Sequence, residues 1–131
     1  MDKDKQIKYW LTGAEHDWET AGDIYDSGKN FHFCLFLCHL VIEKLLKALA
    51  VKAINDFPPK THNLLRLAEL AGLQITPDDI KLLEELNKFQ MDTRYPDEKF
   101  TLYKMATLEF TTERILKIEM FRKWLISQIL K

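Results

Sequence analysis

Apolar side chains recur along the first stretch of the chain at Ile7, Trp10, Leu11, Ala14, Trp18, Ala21 and Tyr25. Steps of three and four draw one stripe on a helix. The spacing predicts a helix from about Asp4 to Asp26, ended by the turn cluster Ser27-Gly28-Lys29-Asn30. Its outward positions Glu15, Asp17, Glu19 and Asp23 are acidic. Gly13 and Gly22 inside it each cost on the order of 1 kcal/mol against alanine and are expected to mark close helix contacts.

A second helix is predicted from Phe31 to about Ile54. Its first half, FHFCLFLCHLVI, is apolar nearly all round, the pattern of a helix buried between several neighbours. Glu43, Lys44 and Lys47 emerge in its second half, and Pro58-Pro59 forbids continuation. Thr61 is expected to cap a short third helix over His62 to Ala71, stopped by Gly72. Thr76-Pro77-Asp78-Asp79 reads as an N-cap, a proline at the first helical position and acids in the first turn. This fourth helix runs to around Asp92, before Tyr95-Pro96. A last helix is predicted from Thr101 or Leu102 to Leu130, with Met105, Leu108, Ile115, Ile118, Leu125 and Ile129 on one stripe. Phe110, Phe121 and Trp124 lie off that stripe and predict a self-association face.

These segments make an all-α, mainly antiparallel bundle of four to five helices in one domain over residues 1–131. The 131-residue length supports a single core without staples. A formal charge of -1 gives no strong nucleic-acid signal through a diffuse basic surface. The longest apolar run, Phe33 to Ile42, is interrupted by His39 and falls short of the roughly 18 residues of a membrane span. No secretory-type start is present, so a cytoplasmic protein without membrane attachment is expected.

Three stretches carry more chemically able groups than a plain bundle requires. His39, Glu43 and Lys47 share one face of the second helix with Lys44 beside them. Lys60-Thr61-His62-Asn63 and Asp92-Thr93-Arg94-Tyr95-Pro96-Asp97 are the other two. The bland alternatives are a polar stripe reaching solvent, a His62 bonded to a backbone carbonyl, and an Arg94 anchoring its loop through Asp92, Asp97 or Glu98. Arg94 also has the shape to clamp a phosphate. Cys34, Cys38 and His39 are adjacent on the helix, with His32 two turns away from His39. No second cysteine pair completes a tetrahedral set, so no metal or cofactor is expected. Gly-rich phosphate loops and nucleophile motifs of hydrolases are missing.

Ile42-Glu43-Lys44-Leu45-Leu46-Lys47-Ala48, Pro58-Pro59-Lys60-Thr61-His62-Asn63-Leu64 and Arg94-Tyr95-Pro96-Asp97, in that order and separation, resemble the HEPN domain family. The resemblance covers essentially the whole chain. It implies a helical bundle, frequent homodimers and a frequent companion, a minimal nucleotidyltransferase, in toxin-antitoxin modules. Many members are metal-independent ribonucleases whose arginine is followed, four to six residues later, by a histidine. Here His16, His32, His39 and His62 all precede Arg66, Arg94, Arg114 and Arg122, so that motif has no counterpart.

The resemblance therefore implies a non-catalytic homodimer that binds a nucleotide, pairs with a nucleotidyltransferase, or both. Its nucleotide or phosphate site would comprise Arg94, Tyr95, Asp97, His39, Glu43, Lys44, Lys47 and His62. Arg94 and Lys47 would neutralise phosphate, His62 would donate, and Tyr95 would stack on a base. The alternatives are a ribonuclease in which Arg94 and His62 meet in space, and a plain interaction module. In the latter, Arg94, Tyr95 and Asp97 would lock the last loop onto Glu43.

Overall fold

The computed structural model describes residues 1–131, which form six α-helices and no strand. They are α1 (Lys3–Asp26), α2 (Phe31–Ile54), α3 (Leu64–Leu70), α4 (Pro77–Lys88), α5 (Pro96–Met105) and α6 (Leu108–Ile129), with a 3-10 turn at Met91–Thr93 before α5. As α2 advances from Cys34 through Lys44 to Lys47, the α1 groups it meets recede from Ala21 through Gly13 to Trp10, so the two helices are antiparallel. Tyr25 and Glu15 of α1 meet Thr112 and Arg122 of α6, which makes that pair antiparallel as well. The all-α bundle expected from periodicity is present, with six helices in place of four to five.

The core is built around α2. From Cys34 to Val51 nearly every side chain is buried, whereas α1 buries only Ala14 and Ala21 completely. This follows from composition: α2 is apolar all round and has no solvent face to offer until Lys44. Lys52 closes the far end by donating to the carbonyls of Gln128, Ile129 and Lys131 at 3.3, 3.0 and 2.9 Å. A cation on the last carbonyls of α6 favours that helix end. No helix is long and apolar enough to cross a membrane.

Four boundaries differ from the sequence reading, each for a local reason. Asn63, not Thr61, caps α3: its side chain accepts from the amides of Leu65 and Arg66, while Thr61 Oγ1 holds the Asn63 amide. His62 is thereby left outside the helix. α4 stops at Lys88, and Gln90 caps the 3-10 turn through the Asp92 amide. Pro96 opens α5 with Asp97 and Glu98 in its first turn, the same chemistry that opens α4. The expected last helix is two, because Ala106 leaves the helical region (φ -82°, ψ 69°) and Thr107 starts α6 by accepting from the Phe110 amide.

Of the three aromatics expected at a self-association face, Phe121 is buried, while Phe110 and Trp124 pack against the core and stay partly exposed. The exposed apolar residues of α6 are Leu108, Leu116 and Met120. Gly13 is a close contact, since a Cβ there would sit 3.2 Å from Lys44 Cδ, but nothing lies within 4 Å of the Gly22 position.

Candidate functional site

Glu43, in the middle of α2, is 4% exposed and holds a cluster of polar partners. Its Oε2 accepts from Lys47 Nζ at 3.0 Å, one helical turn on. Its Oε1 accepts from His62 Nδ1 at 2.9 Å. His39 Nδ1 lies 3.7 Å from the same Oε1, one turn back. The i, i+4, i+8 spacing places the three α2 residues on one face, and the loop before α3 lays His62 over them.

The second nitrogen of each imidazole separates their roles. His39 is fully buried, and its Nε2 lies 3.0 Å from the His62 carbonyl, to which it donates. The ring proton therefore resides on Nε2, and Nδ1 has no donor of its own. Burial pushes the His39 pKa below the ordinary imidazole value of 6.5, and the Glu43 carboxylate, which acts the other way, does not overcome it. His39 is a neutral strut. His62 is different: its side chain is 48% exposed, Nδ1 is committed to Glu43, and Nε2 has no protein partner. A buried carboxylate thus orients a half-exposed imidazole.

Lys47 is 7% exposed, pairing with Glu43 and lying 5.2 Å from the centre of the Trp10 ring. A desolvated ammonium between a carboxylate and an indole face is held on both sides. Lys44, one residue past Glu43, points elsewhere and pairs with Asp17 of α1 at 2.6 Å.

Arg94 does not reach this cluster directly. Its Nε and Nη2 donate to the carbonyls of Lys88 and Asn87 at 3.2 and 3.1 Å, and Nη1 lies 3.6 Å from Glu98. It therefore caps the C-terminus of α4. Asn87 in turn accepts from the Leu64 amide and donates to Asn63 Oδ1, which ties α4 to the start of α3 beside His62. Arg94 and His62 stand on either side of the Asn63–Asn87 pair and make no contact with each other. Tyr95 is 72% exposed and Asp97 opens α5, neither touching Glu43.

The structure thus brings together His39, Glu43, Lys47 and His62, and leaves Lys44, Arg94, Tyr95 and Asp97 outside. The alternative in which the Arg-Tyr-Pro-Asp loop locks onto Glu43 is corrected: Arg94 locks it onto the end of α4, through the Lys88 carbonyl and the Asn87 carbonyl, the latter shared with the Gln90 amide. Sequence reasoning named Asn63 among the polar groups but not as the cap of α3, and it missed Asn87. Asn63, directly before an apolar run, carried a cap signal; Asn87 carried none.

Cys34 and Cys38 are free and buried, and Cys34 Sγ donates to the Ala21 carbonyl at 3.4 Å. Their thiols interact, which lowers the pKa of Cys34 and, together with burial, raises that of Cys38. No group of three or more His, Cys, Asp or Glu side chains converges in a way that would hold a metal ion.

No curated protein and no solved structure matches the chain. The family model of the HEPN domain matches residues 7–129, nearly the whole of it, so the chain belongs to the HEPN domain family.

Proposed function

We propose that this HEPN domain is non-catalytic, works as a homodimer, and binds a nucleotide through its phosphate at His62, as one half of a module whose other half is a minimal nucleotidyltransferase. The observation that carries the reading is the Glu43–His62 pair: a buried carboxylate holds Nδ1 at 2.9 Å and leaves Nε2 on a half-exposed ring. Such an imidazole, when protonated, presents an N–H to an anion from a fixed direction. Catalysis is not assigned, because no histidine follows any arginine in this chain. Self-association is placed on α6, where Leu108, Leu116 and Met120 follow one another at multiples of four residues and are exposed.

The test is a thermal-shift titration with ATP, GTP, UTP and inorganic phosphate, run beside His62→Ala and Arg94→Ala. A ligand at about 100 times its dissociation constant adds roughly 2.7 kcal/mol, several degrees for a domain of this size. A shift lost in His62→Ala supports the reading. No shift with any of the four overturns it and leaves the interaction-module reading. That second reading has its own observation, the exposed aromatic rings of Phe33, Phe100 and Tyr103 near the start of α2 and along α5. Light scattering at tens of micromolar tests the dimer, and a monomer there removes it.

A further inference from the structure

Phe33, Phe100 and Tyr103 are exposed by 46, 57 and 54%, and they are not scattered. The His32 ring ties them together: its centre lies 6.3 Å from that of Phe33 and 5.1 Å from that of Tyr103, edge-to-face in both cases. Tyr103 and Phe100, one turn apart on α5, lie near parallel at 15°, with centres 6.1 Å apart. Four rings from α2 and α5 therefore form one continuous ledge. Burial holds the His32 pKa below the ordinary imidazole value of 6.5, so at neutral pH this ring is uncharged and belongs to the apolar surface. Contiguous apolar surface of this kind marks an interaction site.

What the ledge takes is set at its α2 end. There His32 and Phe33 line a cavity of about 440 Å³ with Asp23, Ile24, Ser27 and Asn30, from the end of α1 and the turn after it. Asp23 has no ion-pair partner, and Lys29 in the same turn pairs with no carboxylate. Ser27, beside Asp23, turns its hydroxyl to the Ile24 carbonyl at 2.6 Å. A free carboxylate next to an exposed aromatic ring is the pair of groups that holds a guanidinium, flat against the ring and bonded at its edge. The ledge already seats one cation on a ring, since Lys104 Nζ lies 4.7 Å from the centre of Phe100. Lys104 covers the far end, and Phe33 and Tyr103 stay open.

We propose that this ledge docks an extended segment of a partner protein that carries an arginine, with the guanidinium in the cavity between Asp23 and the Phe33 ring and the adjoining apolar residues running over His32 to Tyr103. The two ring-to-ring steps from Phe33 to Tyr103 are a reach of about three extended residues. Charge complementarity selects the occupant: an acidic segment is repelled by Asp23, and a purely apolar one strips water from that carboxylate without replacing it. The proposal rests on the interaction-module reading, for which it names the chemistry of the partner, and it is independent of His62.

The test is selection from a phage-displayed library of random linear peptides on the intact protein, followed by calorimetry with the recovered peptides. These are expected to share an arginine next to apolar residues. Replacing that arginine by citrulline, which keeps the shape and removes the charge, should weaken binding at least about tenfold, as should Asp23→Lys or Phe33→Ser in the protein, and added salt should weaken it as well. Tyr103→Ser should weaken it by a smaller factor, and His62→Ala should leave it unchanged. Asp23 is exposed, so Asp23→Lys should melt with the parent, which separates lost docking from lost fold. Peptides without a basic residue that still lose affinity in Phe33→Ser overturn the arginine assignment while the interaction-module reading stands. Recovery of no binding peptide, or only of peptides indifferent to both Asp23→Lys and Phe33→Ser, overturns the ledge and removes the interaction-module reading from this surface.

Discussion

His62 Nδ1 donates to Glu43 Oε1 over 2.9 Å, joining a residue in the loop before α3 to a carboxylate buried in the middle of α2. Because Lys47 shares that carboxylate, Glu43 serves two partners of unequal depth. Glu43→Ala leaves the Lys47 ammonium buried without an anion, a change that costs about 3–5 kcal/mol. His62→Ala, at a half-exposed position, costs about 1 kcal/mol. Urea unfolding is expected to separate the two variants clearly, and Glu43→Met/Lys47→Met should regain most of the loss. A Glu43→Ala protein within 1 kcal/mol of the parent would mean that water reaches Lys47.

The fold couples stability to pH through His39. Below about 6.5 the unfolded chain takes up a proton on this imidazole, while the folded protein, with its pKa lowered by burial, resists doing so. The contribution is complete above 6.5 and is lost as pH falls from there toward the lowered folded value. His32, lowered by burial in the same direction, adds to the trend. Unfolding free energies between pH 5 and 7.5 should therefore rise with pH, and rise less in His39→Gln, which can still donate to the His62 carbonyl. Equal slopes for the two proteins would show that His39 does not carry the effect.

Arg94 is expected to act on stability before it acts on any ligand. Its bonds reach two carbonyls at the end of α4, that of Lys88, which has no backbone donor, and that of Asn87, which also accepts from the Gln90 amide. Arg94→Ala should cost about 1–2 kcal/mol at this partly exposed position, with Arg94→Lys recovering part of it. Hydrogen exchange should speed up first at the Leu64 amide, which depends on the Asn87 side chain. An Arg94→Ala protein that melts with the parent yet loses a ligand shift would reverse this assignment and return Arg94 to the phosphate site.

The residues that resolved well from sequence are those whose chemistry is local. Thr76-Pro77-Asp78-Asp79 opens α4 with a reciprocal capping box, and helical spacing alone placed His39, Glu43 and Lys47 on one face. The break between α5 and α6 was hidden because apolar Met105 and Leu108 carry one stripe across Ala106 and Thr107, so periodicity continued where hydrogen bonding did not. Tyr95-Pro96-Asp97-Glu98 repeats the α4 start signal, which its likeness to a site motif obscures. Asn63 with Asn87, and Arg94 with the end of α4, are pairings set by how α3 and α4 pack, and no spacing rule encodes them.

The two interior glycines of α1 give a last prediction with opposite environments. Gly22 has nothing within 4 Å of where a Cβ would stand and sits in regular helix, so Gly22→Ala removes backbone freedom from the unfolded chain at no steric cost. It should stabilise by about 0.5–1 kcal/mol, a rise of roughly 2–5 °C in Tm. At Gly13 the same methyl group meets Lys44 Cδ at 3.2 Å and presses on the side chain that spans α1 to Asp17. The propensity gain there is opposed by displacement of that ion pair, so Gly13→Ala should gain clearly less than Gly22→Ala. In the Asp17→Asn background, where Lys44 has lost its partner and can yield, the Gly13→Ala gain should approach that of Gly22→Ala. Equal gains at both positions in the parent would show that Lys44 moves aside freely.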